Sequence, residues 1–452
     1  MKIVIFGCGK IGATIIKSLA GEGHDITAVD RDHSVVEEIT DIYDVMGLCG
    51  NGVDSDMMVE AGVDEADLFV AVTNSDELNM LGCFLARKMG AKNTIARIRN
   101  PEYNDESLSF MKQHLDISMA LNPELLIAHE IFNILRFPAA VKVETFSGRN
   151  LEIVELRLGP DSPFAGMKLM DLRKKHKEKF LVCNVMREGE VFIPDGNFKL
   201  RIGDRIGITA SRTEVQKLLK NIGMPQQQTK SVMILGASRI TYYLAKLLLN
   251  AGVKVKIIEQ NEKKCMEYAT ILPNAVVIMG DGMHQEILKE EGLGVTDAFI
   301  ALTGMDEENI LGSIACAEYN VPTVITKINR PELAQTAERL GVKCIVSPQK
   351  TVSDVLSRYA RALQNSLGSN VETLYKLMDG KAEVLEFKVQ ADFSHTRVLL
   401  RDMKLKKNIL IAGIVRGRKP IIPTGDDCIL PGDRVIVVAA GHQLGDLSDI
   451  IH

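Results

Sequence analysis

The stretch that decides the fold is Lys2-Ile3-Val4-Ile5-Phe6-Gly7-Cys8-Gly9-Lys10-Ile11-Gly12, followed by a helical pattern from Ala13 to Ala20 and an apolar run ending in Asp30. The run Lys2 to Phe6 predicts a strand, Gly7, Gly9 and Gly12 a tight turn, and the acid stands 18 residues beyond Gly12. Strand, glycine turn, helix, strand and acid in that order form the dinucleotide-binding fingerprint. Gly7 allows the turn, Gly9 lets backbone approach a pyrophosphate, and Gly12 permits close helix–sheet packing. The helix N-terminus offers free N–H groups and partial positive charge to phosphates. Asp30 is spaced to bridge the hydroxyls of an adenosine ribose. Glycines after a strand also make plain packing turns, but the flanking periodicity and the acid favour a nucleotide.

Working outward, the same pattern returns. Gly7 matches Gly236 and Asp30 matches Glu259, both 229 residues apart. Gly50-Asn51-Gly52 matches Gly280-Asp281-Gly282, and Ala71-Val72-Thr73-Asn74-Ser75-Asp76-Glu77 matches Ala301-Leu302-Thr303-Gly304-Met305-Asp306-Glu307, 230 apart. Asn79, Gly82 and Pro101 echo as Asn309, Gly312 and Pro331. An offset this constant marks a tandem duplication.

Within each copy apolar runs alternate with helical periodicity, so each copy is expected to be α/β, a Rossmann-type doubly wound parallel sheet. In the first copy the expected strands are Lys2–Phe6, Asp25–Val29, Asp44–Cys49, Leu68–Val72, Thr94–Ile98 and Leu115–Ala120. Helices are expected over Glu77–Met89, Pro101–His114 and Pro123 to about Leu135. That last helix either closes its own sheet or crosses over to pack against another copy. From Val141 to Gly223 the texture changes to short strands and turns: Leu151–Leu158, Phe180–Met186 and Arg205–Thr209, with Asp195-Gly196 and Gly203-Asp204 as turns. The second copy repeats this from Val371, so each half ends in a small α+β domain. The expected layout is a nucleotide-type domain over 1–122, a crossover helix over 123–140 and a small domain over 141–223. A linker over 224–230 precedes the second set, 231–350, 351–370 and 371–452.

Composition sets the frame. With 452 residues, about two to four domains at roughly 100–200 residues each are expected. An apolar share of 46% and a charged share of 25% suit a soluble globular chain, and no apolar run reaches a membrane-span length. The eight cysteines are scattered with no CxxC, consistent with reduced thiols in a cytoplasm. A net charge of −5 argues against a nucleic-acid partner.

Ligands of a doubly wound sheet sit at the carboxyl ends of its strands. Thr73-Asn74 ends the fourth strand and is expected to meet a ribose or the second half of a dinucleotide. Thr73 to Glu77 also satisfies a helix N-cap, and both roles are compatible. Gly50-Asn51-Gly52 either approaches the adenine or is a plain turn. Arg97 and Arg99 share a face of the fifth strand, as phosphate ligands or surface ion-pair partners. In the second copy Ser238 replaces the glycine that should face pyrophosphate, Thr241 replaces Gly12, and Lys327 replaces Arg97. That second site is weaker, tuned to another nucleotide, or empty. No metal spacing and no GxSxG, HExxH or Walker A sequence is present. His24, His33, His114 and His129 read as surface or packing residues. A duplicated cofactor domain without visible chemistry points to a sensor. An NAD-dependent dehydrogenase and a redox-sensing DNA-binding repressor are the rival readings.

KIVIFGCGKIG, ITAVDRD, AVTNSDELNM and IARIRNPEY, with their echoes in this duplicated layout, resemble the TrkA family of tandem RCK (regulator of potassium conductance, or KTN) subunits of bacterial Trk potassium uptake systems. The resemblance spans essentially the whole chain. It implies NAD(H) and adenine nucleotides, ATP or ADP, bound by the first nucleotide-type domain. Gly7, Cys8, Gly9, Lys10 and Ile11 would lie on the phosphates, Asp30 on the ribose, Thr73 and Asn74 along the pocket, and Arg97 near the phosphates, with Arg99 a weaker correspondence. Their counterparts are Ser238, Arg239, Ile240, Glu259 and Thr303. The resemblance also implies a cytoplasmic, tetrameric, ring-like assembly, peripheral on the inner membrane face beneath a potassium transporter of the TrkH or TrkG type. It transfers no catalytic residue, so it implies a regulator and not an enzyme.

Overall fold

A computed structural model describes residues 1–103, 105–136, 140–146, 151–222, 229–365, 371–442 and 444–452. The first half runs β1 (Lys2–Phe6), α1 (Lys10–Ala20), β2 (Asp25–Asp30), α2 (His33–Ile42), β3 (Met46–Cys49), α3 (Ser55–Glu60), β4 (Leu68–Ala71), α4 (Asp76–Met89), β5 (Thr94–Arg97), α5 (Asp105–His114), β6 (Met119–Leu121) and α6 (Pro123–Arg136). Its strands form one parallel sheet in the order β3-β2-β1-β4-β5-β6, the doubly wound order whose switch point lies between β1 and β4. Central strands are buried on both faces, as in β4 with every residue buried, because helices cover both sides.

The small domain follows as β7 (Ala140–Phe146), β8 (Leu151–Arg157), α7 (Leu169–Lys175), β9 (Phe180–Arg187), β10 (Glu190–Phe192), β11 (Arg205–Ala210) and α8 (Arg212–Asn221), an antiparallel sheet ordered β10-β9-β11-β8-β7. Its helices α7 and α8 fit the expected α+β class, although the turn-rich texture does not place them; the Ser211 hydroxyl caps α8.

The second half repeats both parts. Its parallel sheet contains β12 (Ser231–Leu235), β13 (Lys254–Glu259), β14 (Val276–Met279), β15 (Ala298–Ala301), β16 (Thr323–Lys327) and β17 (Ile345–Val346), in the order β14-β13-β12-β15-β16-β17. The helices are α9 (Arg239–Asn250), α10 (Glu262–Ile271), α11 (Gln285–Glu290), α12 (Asp306–Ala315), α13 (Pro331–Arg339) and α14 (Pro348–Asn365). Its small sheet, β18 (Val371–Leu377), β19 (Ala382–Lys388), β20 (Ile409–Arg416), β21 (Lys419–Ile421) and β22 (Arg434–Ala440), is ordered β18-β19-β22-β20-β21.

The crossover alternative for the helix at Pro123 is the one realised, and it is realised twice. Ile127, Ile131, Ile134 and Leu135 of α6 are buried with Ile240, Leu244 and Leu248 of α9, in the core of the second nucleotide-type domain. Reciprocally, Val352, Leu356 and Ala360 of α14 are buried with Ile15, Ile16 and Leu19 of α1 in the core of the first. The two small sheets meet face to face, with Leu151, Ile153 and Cys183 against Val384, Ala412 and Val438. Among the described residues no helix is long and apolar enough to cross a membrane.

One local expectation changes, and one alternative is decided. Helix α5 begins at Asp105 and not at Pro101, because the Asn100 side chain accepts from the Glu102 N–H and Tyr103 N–H bonds back to the Asn100 carbonyl, closing a turn. Of the surface and packing readings of His24, packing is the one found: it is buried, 4.0 Å from Glu22. The linker expected at Met224 to Gln228 lies outside the described residues.

Candidate functional site

The first glycine turn leaves β1 at Gly7 and enters α1 at Lys10. Gly7 has φ +100°, and a Cβ there would lie 2.8 Å from the Thr73 backbone nitrogen, so only glycine fits. Gly12 is tighter, since its Cβ would stand 2.0 Å from the Gly7 carbonyl oxygen. Gly9 is the opposite case: nothing lies within 4 Å of where its Cβ would be. It is the N-cap of α1 and brings no side chain to the helix, which leaves the leading N–H groups available to an anion. Lys10 is exposed and Ile11 half-buried beside it.

Asp30 is tied to that turn. The Cys8 N–H donates to its Oδ2 at 2.6 Å and the Asp32 N–H to its Oδ1 at 3.0 Å, which fixes the carboxylate at the carboxyl end of β2. Burial and the neighbouring Asp30 charge push the Cys8 thiol up to about 12, so it stays protonated and inert near neutral pH. The Gly50 turn is a packing feature on one side: a Cβ at Gly52 would stand 2.2 Å from the Phe6 ring. Asn51 is exposed and accepts from Arg31 at 2.8 Å.

The loop after β4 is held by two buried side chains. Asn79 accepts from the Thr73 N–H at 2.8 Å and its hydroxyl at 2.7 Å, and donates to the Arg97 carbonyl at 2.9 Å. Asp76 accepts from the Arg99 and Asn100 N–H groups at 2.7 and 2.8 Å. The ends of β4 and β5 are thereby fastened together, with Thr73 half-buried and Asn74 exposed at the rim. Ser75 caps α4, so the capping reading of this segment holds.

The two arginines part company. Strand β5 stops at Arg97, and the Arg99 guanidinium turns onto the Asn74 carbonyl, 3.5 Å from Asp76. Arg99 therefore braces the loop. Arg97 is half-buried with its Nε lacking any hydrogen-bond partner. Burial first, then the Arg99 charge, hold its guanidinium below the ordinary value; Glu124 and Asp76 pull it back, and Arg239 pushes it down again. A desolvated cation facing other cations is relieved by an anion between them.

The second turn has the same backbone and a different finish. Gly236 has φ +95°, and Glu259 accepts from the Ala237 N–H at 2.7 Å, the counterpart of the Asp30 bond. Ser238 does not block the turn as a bare obstacle. Its hydroxyl caps α9 by accepting from the Thr241 N–H at 3.3 Å, using a donor that the first half leaves free. Nor is Thr241 mere bulk, since its hydroxyl donates to the Gly236 carbonyl at 2.6 Å. Tyr268, buried, donates to the Ser238 carbonyl at 2.7 Å. Lys327 is buried and donates to the Thr303 carbonyl at 2.6 Å, whereas Arg97 keeps an unpartnered nitrogen. Ile240 and Glu259 are buried and Thr303 half-buried. Arg239 is exposed, and its charge reaches Arg97 of the first half.

Residues 3–122 and 232–348 match the TrkA-N domain family, and residues 153–223 and 398–452 match the TrkA-C domain family. The chain belongs to the TrkA family. It is 34% identical to the Trk system potassium uptake protein TrkA homolog of Archaeoglobus fulgidus, covering 100% of both chains. It is 30% identical to the Trk system potassium uptake protein TrkA of Vibrio alginolyticus, covering 97% of this chain and 95% of that one. Among solved structures it is similar to the GsuK channel bound to NAD, with a TM-score of 0.64 and 18% identity over 97% of this chain and 77% of that one. It is equally similar to the isolated GsuK RCK domain, at a TM-score of 0.64 and 18% identity over 97% of this chain and 92% of that one, which identifies the fold as a tandem RCK arrangement.

The two TrkA-N halves meet beside their strand ends. Tyr243 of α9 donates to the Arg99 carbonyl at 3.0 Å and accepts from Asn122 at 3.0 Å. Glu124, at the start of α6, has a buried Oε2 without a partner and lies where its charge reaches Arg97, Tyr243 and Lys327. Sequence reasoning did not find this TrkA junction. Asn79 carried a signal in its echo, Asn309, which likewise accepts from the Thr303 N–H and donates to the Lys327 carbonyl. Glu124 carried none, since the residue after Pro348 is Gln349.

Proposed function

We propose that this chain is a cytoplasmic regulatory subunit, peripheral on the inner face of the membrane, that gates a potassium uptake transporter of the TrkH or TrkG type. NAD(H), ATP or ADP bound at the first glycine turn is the allosteric signal and not a reagent. The observation that carries the reading is the contrast between the two turns. The first has an uncapped helix N-terminus, open space over Gly9 and an unpartnered Arg97 nitrogen. The second has spent the equivalent groups internally on Ser238, Thr241 and Lys327. Gly7, Cys8, Gly9, Lys10 and Ile11 take the phosphates with Arg97 near them, Asp30 takes the ribose, and Thr73 and Asn74 line the pocket. Ser238, Arg239, Ile240, Glu259 and Thr303 form the weaker site.

Family membership and the NAD named with GsuK support this choice of ligand class. A nucleotide shifts a conformational equilibrium only by binding one state better than the other, and the charged junction around Arg97, Glu124 and Arg239 supplies that difference. A homo-oligomer, read as a tetramer, is supported by exposed apolar side chains repeated in both halves, Leu81 with Leu311 and Phe110 with Leu340.

The test is Asp30→Ala in calorimetric titrations and in potassium uptake. Loss of nucleotide binding together with a flattened nucleotide dependence of uptake is expected. Unchanged titrations would remove the site assignment, and NADH turnover with a small substrate would favour a dehydrogenase instead.

A further inference from the structure

Helix α1 has the glycine turn at its leading end and a different apparatus at its trailing end. There, Ser18 and Ser357 of α14 share a hydrogen bond at 2.8 Å. Glu22, in the turn that follows α1, accepts from Arg361 Nε at 2.9 Å. The other edge of the same guanidinium grips Glu383 of β19 bidentately, Nη1 at 3.0 Å and Nη2 at 3.1 Å. All three side chains are nearly buried, at 14%, 8% and 13% exposure for Arg361, Glu22 and Glu383. One planar cation thus joins three bodies: the first nucleotide-type domain, the crossover helix α14 and the small sheet of the second half.

The arrangement is not repeated in the second half, because one of its two carboxylates has no counterpart there. The counterpart of Glu22 in the second half is Ala251, and that of Glu383 in the first is Glu152, whose Oε2 is buried without a partner. Arg136, the counterpart of Arg361 counted from Pro123 and Pro348, stands exposed. The half with the open glycine turn is therefore the half whose α1 is clasped to a small sheet, and that sheet belongs to the other half of the chain. A helix of eleven residues is a rod of roughly 16 Å, so a shift at its phosphate end arrives at its far end with little loss. Buried, bidentate ion pairs resist sliding because any intermediate leaves desolvated charge unpaired.

We propose that Arg361 is the positioning residue that passes the state of the first glycine turn to the second small sheet, through Glu22 on one edge and Glu383 on the other. The inference rests on the nucleotide reading above. The test is hydrogen exchange on the full chain with and without saturating NADH or ATP. In the unaltered protein nucleotide slows exchange over 18–24, 354–361 and 382–388 together. In Glu383→Gln, which keeps the side-chain volume and the Glu22–Arg361 pair, nucleotide binds with unchanged affinity and the protection of 382–388 is lost. In Arg361→Met protection is confined to 18–24; if that variant does not fold, Glu383→Gln decides alone. A purely structural clasp lowers Tm in both variants and leaves the protection of 382–388 in place, which overturns the coupling role and leaves the nucleotide site standing. Failure of the unaltered chain to bind either nucleotide overturns both.

Discussion

Glu152 and Glu383 start the equivalent strand of the two small domains, yet only Glu383 is gripped by an arginine. Burial alone pushes the Glu152 carboxyl up to about 7. In the unfolded chain it titrates near the ordinary glutamate value, so between that value and about 7 the folded state binds the extra proton. The folded pKa is the raised one, so stability falls as pH rises through this window, and the loss is complete above it. Glu152→Gln should therefore stabilise the protein at pH 8, on the order of 3 kcal/mol at 1.36 kcal/mol per unit. The gain should shrink toward zero by pH 4.5. Urea denaturation at the two pH values checks it, and a gain equal at both would mean that the carboxyl is already ionised in the fold.

At the scale of elements, β4, α4 and β5 are joined by one amide. Asn79 satisfies Thr73 and the Arg97 carbonyl, and Asn309 repeats this around Thr303 and Lys327. Asn79→Ala leaves buried donors and acceptors unpaired at about 1–3 kcal/mol, as does Asn309→Ala. The two substitutions should lower the urea midpoint alike without changing m. Only the first should also weaken nucleotide binding, because Arg97 hangs from the strand it holds; equal loss of binding in both variants would contradict the inequality of the two sites. The parallel sheets were legible because buried strands write continuous apolar runs and glycines mark where backbone must come close, as at Gly7 against Thr73. Even the cap at Ser75 was readable from hydroxyl and acid spacing. The positions of helices α7 and α8 were not. Both helices are short, and the turn signals at Asp195 and Gly203 dominate the small domain around them. The separate fates of Arg97 and Arg99 were also hidden, since alternation places them on one face only while the strand lasts, and β5 ends at Arg97.

For the whole molecule, the exchange of α6 and α14 is what makes the two halves one body. Nothing in the periodicity of α6 says which core receives its apolar face; the duplication only leaves room for it to be another copy's. Separated at the linker, the first half would expose Ile127, Ile131, Ile134 and Leu135, each now buried on the second half and each stabilising by roughly 1.5–3 kcal/mol. The second half would expose Val352 and Leu356 in turn. Association must overcome lost translational and rotational freedom, and two such faces plus the small-sheet contact exceed the usual cost. Residues 1–222 and 229–452, produced as two chains in one cell, should therefore copurify through a tag on either. Residues 1–222 alone should form a homodimer by placing α6 on a second copy's first domain, whose α1 is bared by the absence of α14. Ile131→Asp puts a charge in that seam and should abolish both associations, while sedimentation of the unaltered fragments reports a single complex. Recovery of one tagged fragment without its mate would show that the crossover helices are seated by the covalent linker and not by their own apolar faces.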